Sequence, residues 1–207
     1  LIFSSFIGYI FAIAIDKSET KQQKKLYLII SLIINLGLLG IFKYAGFFVS
    51  NINYLLHVNL PVPQISLPIG ISFYTFQIVS YVIDVYCNRV DSQKSFAKFL
   101  MYVSLYPQLI AGPIVRYIDI EREIDHREVS IVNISQGINR FIVGLAKKVI
   151  IANTAATLVS TFLDGKLATM GVLDAWFGLF MYTIQIYFDF SGYSDMAIGL
   201  GKIFGFT

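Results

Sequence analysis

Three groups of polar side chains interrupt apolar stretches of the 207-residue chain. Polar groups in such runs are costly, and they face a cavity or a partner. Gln77, Ser80, Tyr81 and Asp84 form the first group, and a helix over 69–86 puts positions 77, 81 and 84 on one face. An amide, a phenol and a carboxylate then point the same way. The plainer reading leaves Asp84 at a helix end near water, with Gln77 bonding a neighbouring helix. The second group is Tyr106-Pro107-Gln108-Leu109-Ile110-Ala111-Gly112-Pro113-Ile114-Val115-Arg116. Pro107, Gly112 and Pro113 preclude a regular helix, and broken backbone at membrane depth is tolerated only in protein or beside a water-filled cavity. Arg116 keeps its charge and requires a carboxylate, a phosphate or water; the plainer reading is a helix-ending loop with Arg116 among headgroups. In the third group Tyr182, Gln185 and Asp189 share a face at i, i+3 and i+7, and Asp195 follows six residues on. Ser191-Gly192 reads as a break, after which Ser191 or Ser194 caps a new helix. Both aspartates could serve structure alone.

Other reactive residue types stand apart from these groups. His57 lies in a proline-rich stretch and His126 in a charged one, and neither has an acidic or nucleophilic companion in an apolar run. The single cysteine, Cys87, excludes a disulfide framework and a cysteine-based zinc site; no metal is expected. Asn133-Ile134-Ser135 fits a glycosylation acceptor triplet, a pattern common by chance.

The elements that must position these groups follow from composition. The chain is 56% hydrophobic and 14% charged, against about 25% charged in a typical globular protein. Six charges fall within 16–25 and eight within 116–128, leaving the remainder as apolar runs punctuated by glycine. A net charge of +3 without a basic stripe excludes a nucleic-acid binder, and the composition excludes a soluble enzyme. The fold class implied is all-α, a polytopic integral membrane protein with the lipid bilayer as its first partner.

A spanning helix needs roughly 20 apolar residues. Segments 1–15, 26–42, 69–86, 131–163, 175–192 and the start of another at 196–206 are candidates, with 96–110 ambiguous because of Lys98 and Pro107. Pro61, Pro63 and Pro68 keep 51–68 from being a regular helix. Arg140, Gly144 and Lys147 share one helical face, which suits an interfacial or protein-lined helix better than a lipid-exposed one. The 16–25 loop has four lysines, 51–68 has no Lys or Arg, and 87–95 has Arg89 and Lys94. The first and third are therefore expected on the cytoplasmic side and the second outside. Both ends fall in or beside apolar runs, so a single domain over 1–207, incomplete at both ends, is expected.

Three blocks carry a resemblance: Leu67-Pro68-Ile69-Gly70-Ile71-Ser72-Phe73-Tyr74-Thr75-Phe76-Gln77 with Ser80-Tyr81-Val82-Ile83-Asp84-Val85-Tyr86; the 106–117 run; and Phe188-Asp189-Phe190-Ser191-Gly192-Tyr193-Ser194-Asp195 continuing to Leu200. In order and content they resemble the membrane-bound O-acyltransferases, most of all the bacterial alginate O-acetyltransferase branch, with the teichoic acid D-alanyl transferases as more distant cousins. The resemblance covers most of the chain from about Leu26.

It implies tilted and broken transmembrane helices forming part of a ring around a tunnel, in a multi-pass protein of the bacterial cytoplasmic (inner) membrane. It also implies transfer of an acetyl or other acyl group to a hydroxyl of an extracytoplasmic polysaccharide or relay protein. The donor would be acetyl-CoA or an acyl-carrier thioester, used as a substrate, with no bound cofactor. An accessory extracytoplasmic acyltransferase is the partner typical of the branch. By family position Gln108, Gly112, Pro113 and Arg116 would shape one tunnel wall, and Asp189, Ser191, Tyr193 and Asp195 another. Gln77, Asp84 and Gln185 are further intramembrane polar groups. The family's catalytic histidine closes a Trp- and Arg-rich block expected beyond Thr207, and neither His57 nor His126 matches it. D-alanyl or other acyl transfer to a cell-wall polymer is one alternative, and a polytopic transporter is another on composition, because broken helices with midplane carboxylates serve transport too.

Overall fold

The computed structural model describes residues 1–105, 115–164 and 170–206. They form helices in two compact units, one within 1–105 and 115–125, the other within 126–164 and 170–206. Among the described residues two helices are long and apolar enough to cross a membrane, Lys21–Leu56 and Ile131–Leu163.

The first unit contains α1 (Ile2–Asp16), α2 (Lys21–Leu56), α3 (Ile71–Tyr86), α4 (Phe96–Ser104) and α5 (Tyr117–Asp125). The Thr20 side chain caps α2 by accepting from the Gln23 N–H at 3.3 Å. The helix therefore starts inside the lysine-rich stretch expected to be a loop. It also continues past 42 to Leu56, because the prolines begin only at Pro61 and proline disrupts locally. At 1.5 Å per residue its 36 residues measure about 54 Å, well beyond the hydrocarbon core of a bilayer. His57 ends it in the left-handed region, at φ 51°. Asn53 then pins the returning chain, donating to the Leu60 carbonyl at 2.8 Å and accepting from its N–H at 2.9 Å.

Burial in these helices is inverted relative to a soluble protein. α1 buries Ser4, Ser5, Gly8, Ala12 and Ile15, and α2 buries Ser31, Asn35 and Leu39. The exposed positions hold Ile2, Phe3, Phe6, Ile33, Phe47 and Phe48. Small and polar inside with bulky apolar outside is how helices associate in lipid, where close approach replaces the hydrophobic drive. α3 is the core of the unit, burying Tyr74, Gln77, Ile78, Tyr81, Val82 and Asp84. The end of α1 and the first turn of α2 meet the segment after α3: Lys24 Nζ donates to Asn88 Oδ1 at 3.2 Å and Ser92 Oγ to Asp16 Oδ2 at 2.7 Å. The 16–25 and 87–95 loops therefore lie on one side, as their shared lysine and arginine content requires. Within the mixed-charge 116–128 stretch the structure forms α5, an amphipathic helix that buries Tyr117, Ile120 and Ile124.

The second unit contains α6 (Ile131–Ala146), a π-helical turn (Lys147–Ala152), α7 (Asn153–Leu163) and α8 (Val172–Ile203). Ser130 caps α6 by accepting from the Asn133 N–H at 3.1 Å. α8 is one 32-residue helix that passes straight through Ser191-Gly192, so the expected break is absent and the 175–192 and 196–206 segments are one element. The reason lies across the interface, where α6 and α8 run antiparallel. A Cβ on Gly144 would stand 2.6 Å from the Gly192 carbonyl oxygen, and one on Gly137 2.6 Å from that of Gly199. Gly192 is there to admit another backbone, and nothing about that use interrupts its own helix.

Candidate functional site

The first polar cluster surrounds Asp84, near the end of α3. Its side chain is 2% exposed, so the sequence expectation of a carboxylate near water does not hold. Burial of a carboxylate is tolerable only with paired cations and satisfied oxygens. Arg116 supplies a fork, donating from Nη2 to Oδ1 at 2.6 Å and from Nε to Oδ2 at 3.3 Å. Arg89 Nη1 adds a third bond to Oδ1 at 3.3 Å. Of the three partners open to Arg116, the structure selects the carboxylate. That contact holds its guanidinium above the ordinary arginine range, so it stays charged.

Local backbone explains how both arginines arrive. After α3, Asn88 is left-handed at φ 52°. Its N–H bonds to the Val85 carbonyl at 3.0 Å, and the Arg89 N–H to the Asp84 carbonyl at 2.9 Å. This is a Schellman ending, and it returns Arg89 to Asp84 through main chain and side chain alike. Arg116 is placed from the other direction. Tyr102 donates to the Val115 carbonyl at 3.1 Å, and the Arg116 N–H reaches Asp119 Oδ2 at 3.3 Å. Gln93 ties the remaining pieces, its N–H donating to Tyr81 Oη at 2.8 Å and its Nε2 to Tyr117 Oη at 2.9 Å. The rings of Tyr81, Phe99, Tyr102 and Tyr117 pack edge-to-face or tilted, with centroids 4.6 to 6.1 Å apart along the chain of contacts. Burial pushes the Tyr117 phenol above its usual range, against the opposing hydrogen bond from Gln93. Gln77 and Tyr81 are buried on the Asp84 face of α3, as the spacing of 77, 81 and 84 requires.

The second cluster lies on the α6–α8 seam. Lys147 Nζ donates to Asp195 Oδ2 at 2.6 Å and to Ser191 Oγ at 3.2 Å, and Arg140 Nε donates to Asp195 Oδ1 at 3.1 Å. Lys148 pairs with Asp189. A Cβ on Gly192 would meet the Lys148 nitrogen at 3.2 Å and the Lys147 Cβ at 3.4 Å, so the two lysines flank the point of closest approach. Lys147 reaches residues on one side of that point and Lys148 the residue on the other. Gln185 is partly buried, and its Oε1 has no hydrogen-bond partner among the described residues. Tyr193 is partly buried on the same helix.

Of the residues singled out from sequence, Asp84 and Arg116 thus meet in one cluster, and Asp189, Ser191 and Asp195 are held by cations of α6 and the π turn in another. Gln108, Gly112 and Pro113 lie outside the described residues. His57 and His126 are exposed at the ends of α2 and α5, and Cys87 is exposed at the end of α3. Among the described residues no group of three or more His, Cys, Asp and Glu gathers as for a metal ion. Sequence reasoning missed Arg89 as a partner of Asp84. Its signal was present in Asp84-Val85-Tyr86-Cys87-Asn88-Arg89, where Asn is a left-handed cap residue and the basic residue follows it.

Both clusters sit in sequence blocks shared with known proteins. A profile of the membrane-bound O-acyltransferase family, MBOAT, matches residues 86–207. The chain is 41% identical over 99% of its length to the probable alginate O-acetylase AlgI of Pseudomonas aeruginosa, covering 39% of that protein. It is 34% identical, again over 99%, to the peptidoglycan O-acetyltransferase of Helicobacter pylori, covering 44%. The teichoic acid D-alanyltransferase of Bacillus subtilis is 25% identical over 66% of the chain. The chain spans about two fifths of the length of the first of these relatives. With more than half its residues under the family profile, and its helices apolar outside and polar within, the chain belongs to the membrane-bound O-acyltransferase family.

Proposed function

We propose that the whole protein transfers an acetyl group from a cytoplasmic thioester, acetyl-CoA or an acyl carrier, to a hydroxyl of an extracytoplasmic polysaccharide of the alginate type or to a relay protein. The observation that carries this reading is the 41% identity to an alginate O-acetylase across nearly the whole chain. An O-acetyltransferase acting on a different glycan polymer matches over the same extent, which supports acetyl as the group and a sugar hydroxyl as the acceptor.

In that reaction the acceptor oxygen bonds to the thioester carbonyl carbon, the C–S bond breaks, and the hydroxyl proton passes to a base. The thiolate leaves and is protonated in turn. A sugar hydroxyl is a poor nucleophile at neutral pH, so a histidine base suits the task, with general base assistance worth typically 10²–10⁴-fold. We assign that base to the histidine block expected beyond Thr207. By family position alone, Gln108, Gly112, Pro113 and Arg116 are assigned to one tunnel wall, and Asp189, Ser191, Tyr193 and Asp195 to another. Asp195 and Ser191 also accept from Lys147, which they hold in place. An accessory extracytoplasmic acyltransferase completes delivery to the polymer. Residues 1–207 alone are expected to be inactive, and acyl transfer by them would overturn that expectation.

The test is full-length protein in lipid nanodiscs with radiolabelled acetyl-CoA, the accessory partner, and alginate or peptidoglycan fragments as acceptor. Alkali-labile acetyl ester on a glycan supports the proposal. Label transferred only from a D-alanyl carrier thioester would move it to the D-alanyl branch. Passage of a solute across the membrane without ester formation would leave transport as the activity.

A further inference from the structure

We propose that Arg89 and Arg116, mounted together on the buried carboxylate of Asp84, form a docking site for a phosphate group of the donor's carrier. The identity of the ligand rests on the acyltransfer reading; the anion site rests on geometry alone.

One buried carboxylate accepts three hydrogen bonds from two guanidiniums. The carboxylate is 2% exposed while the Arg116 and Arg89 side chains are 43% and 55% exposed. The anion faces inward and the cations face out. Arg116 commits Nε and Nη2 and Arg89 commits Nη1, and their remaining N–H groups have no partner among the described residues. Asp119 is the other carboxylate at Arg116; it accepts that residue's backbone N–H on the exposed side and keeps its charge, so the site is made by the donors left on the two guanidiniums and not by net charge.

Neither arginine is free to wander. The Schellman ending of α3 fixes Arg89, and the Tyr102 bond to the Val115 carbonyl fixes the residue before Arg116. Two rigid guanidiniums with unused forked donors are suited to phosphate oxygens, which they bind bidentately and without deprotonation. Lys24 donates to the side chain of Asn88, the residue before Arg89. The site adjoins the 16–25 and 87–95 loops, the side that the basic residues assign to the cytoplasm. A thioester donor arriving from there carries its phosphates on the pantetheine arm or nucleotide, away from the reacting carbonyl.

The experiment compares two donors on the full-length protein. Acetyl-CoA carries phosphates; acetyl-pantetheine carries none. Arg89→Gln is expected to raise the KM for acetyl-CoA about tenfold, a typical loss for hydrogen bonds to a charged group, with kcat unchanged. The KM for acetyl-pantetheine should not move, and Arg89→Lys should recover part of the loss. Equal effects on both donors, or none, overturn the proposal. Should wild type turn over neither donor, the acyltransfer reading fails, and titration with CoA still decides the site: CoA binding weakened by Arg89→Gln upholds it, and unweakened or undetectable binding overturns it. Nanodiscs with and without anionic lipid form the remaining arm. A donor discrimination seen only with anionic lipid would assign the arginines to a headgroup and overturn the proposal. The elution profile of Arg89→Gln checks the fold, and Lys24→Gln, a surface change, gives a second variant with a smaller shift of the same sign.

Discussion

Gly144 and Gly192 meet backbone to backbone: a Cβ on the first would stand 2.6 Å, and on the second 2.7 Å, from the carbonyl oxygen of the other. Gly137 and Gly199 repeat the relationship one heptad away in each helix, each Cβ falling 2.6 Å from the opposite carbonyl oxygen. The obstacle is main chain, which cannot swing aside as a side-chain tip can. Gly192→Ala is therefore expected to destabilise α6 against α8 by about 1–3 kcal/mol through overpacking. Gly40→Ala in α2 meets nothing within 4 Å and should be neutral or stabilise by about 0.5–1 kcal/mol through helix propensity. Thermal melting of both variants in the same detergent tests the contrast. Equal melting temperatures would refute the close crossing.

Removing the Asp84 carboxylate leaves two arginines without their shared anion. Loss of one member of a buried pair commonly costs about 3–5 kcal/mol. The arginines here are half-exposed and rehydrate in part, so Asp84→Ala is expected to cost about 2 kcal/mol, read as a lowered unfolding midpoint. Lys98→Ala breaks a pair in which both members are about half-exposed and should change stability by less than about 0.5 kcal/mol. A larger loss for Lys98→Ala than for Asp84→Ala would contradict the burial of Asp84.

Asp189 and Asp195 should separate in a stability assay. Asp195 is held by both Lys147 and Arg140 and is mostly buried, whereas the Lys148–Asp189 pair is half-exposed. A double-mutant cycle of Lys147→Ala with Asp195→Ala is expected to give a coupling of about 1 kcal/mol, and the Lys148–Asp189 cycle less than half of that.

Because Asp189 contributes little to folding, turnover of full-length Asp189→Ala reads its tunnel role directly. An acetyl-transfer rate at least tenfold below wild type, at normal expression, is the expected result. A wild-type rate would remove Asp189 from the site.

Ser130 is the side-chain cap of α6. Ser130→Ala should cost about 1 kcal/mol, and Ser130→Asp should restore most of it. Hydrogen exchange at Asn133 would report the local opening.

Periodicity and composition foresaw the all-helical class, the shared face of Gln77, Tyr81 and Asp84, and the shared side of the 16–25 and 87–95 segments, but not α5, the ends of α2 or the continuity of α8. The foreseen features depend on neighbours along the chain or on counting charges. The two readings of Asp84, buried or near water, could not be separated because its burial is decided by Arg116, 32 residues away, and by a left-handed Asn88 that folds Arg89 back. Gly192 was misjudged because glycine next to serine carries the same local signature for a break as for a close helix crossing. Only the opposite Gly144 distinguishes the two. The ion partners of Asp189 and Asp195 were half visible: Arg140, Gly144 and Lys147 shared a face, but nothing in one sequence said which helix that face would meet.

The π turn at Lys147–Ala152 has a bearing on how this chain can change in evolution. A turn closed by wider hydrogen bonds holds one residue more than the α-helical path it replaces. Deleting one residue there would restore an ordinary helix and keep the phase of α7, whereas deleting one within the regular helix Asn153–Leu163 would turn the side chains beyond it by about 100°. Leu163, which now fills the notch at Gly178, where a Cβ would stand 2.6 Å from its Cδ2, would then face elsewhere. The wider turn takes up the extra residue and leaves the phase between two stretches of one rod unchanged, so a one-residue change of length is tolerated at Lys147–Ala152 and constrained within Asn153–Leu163.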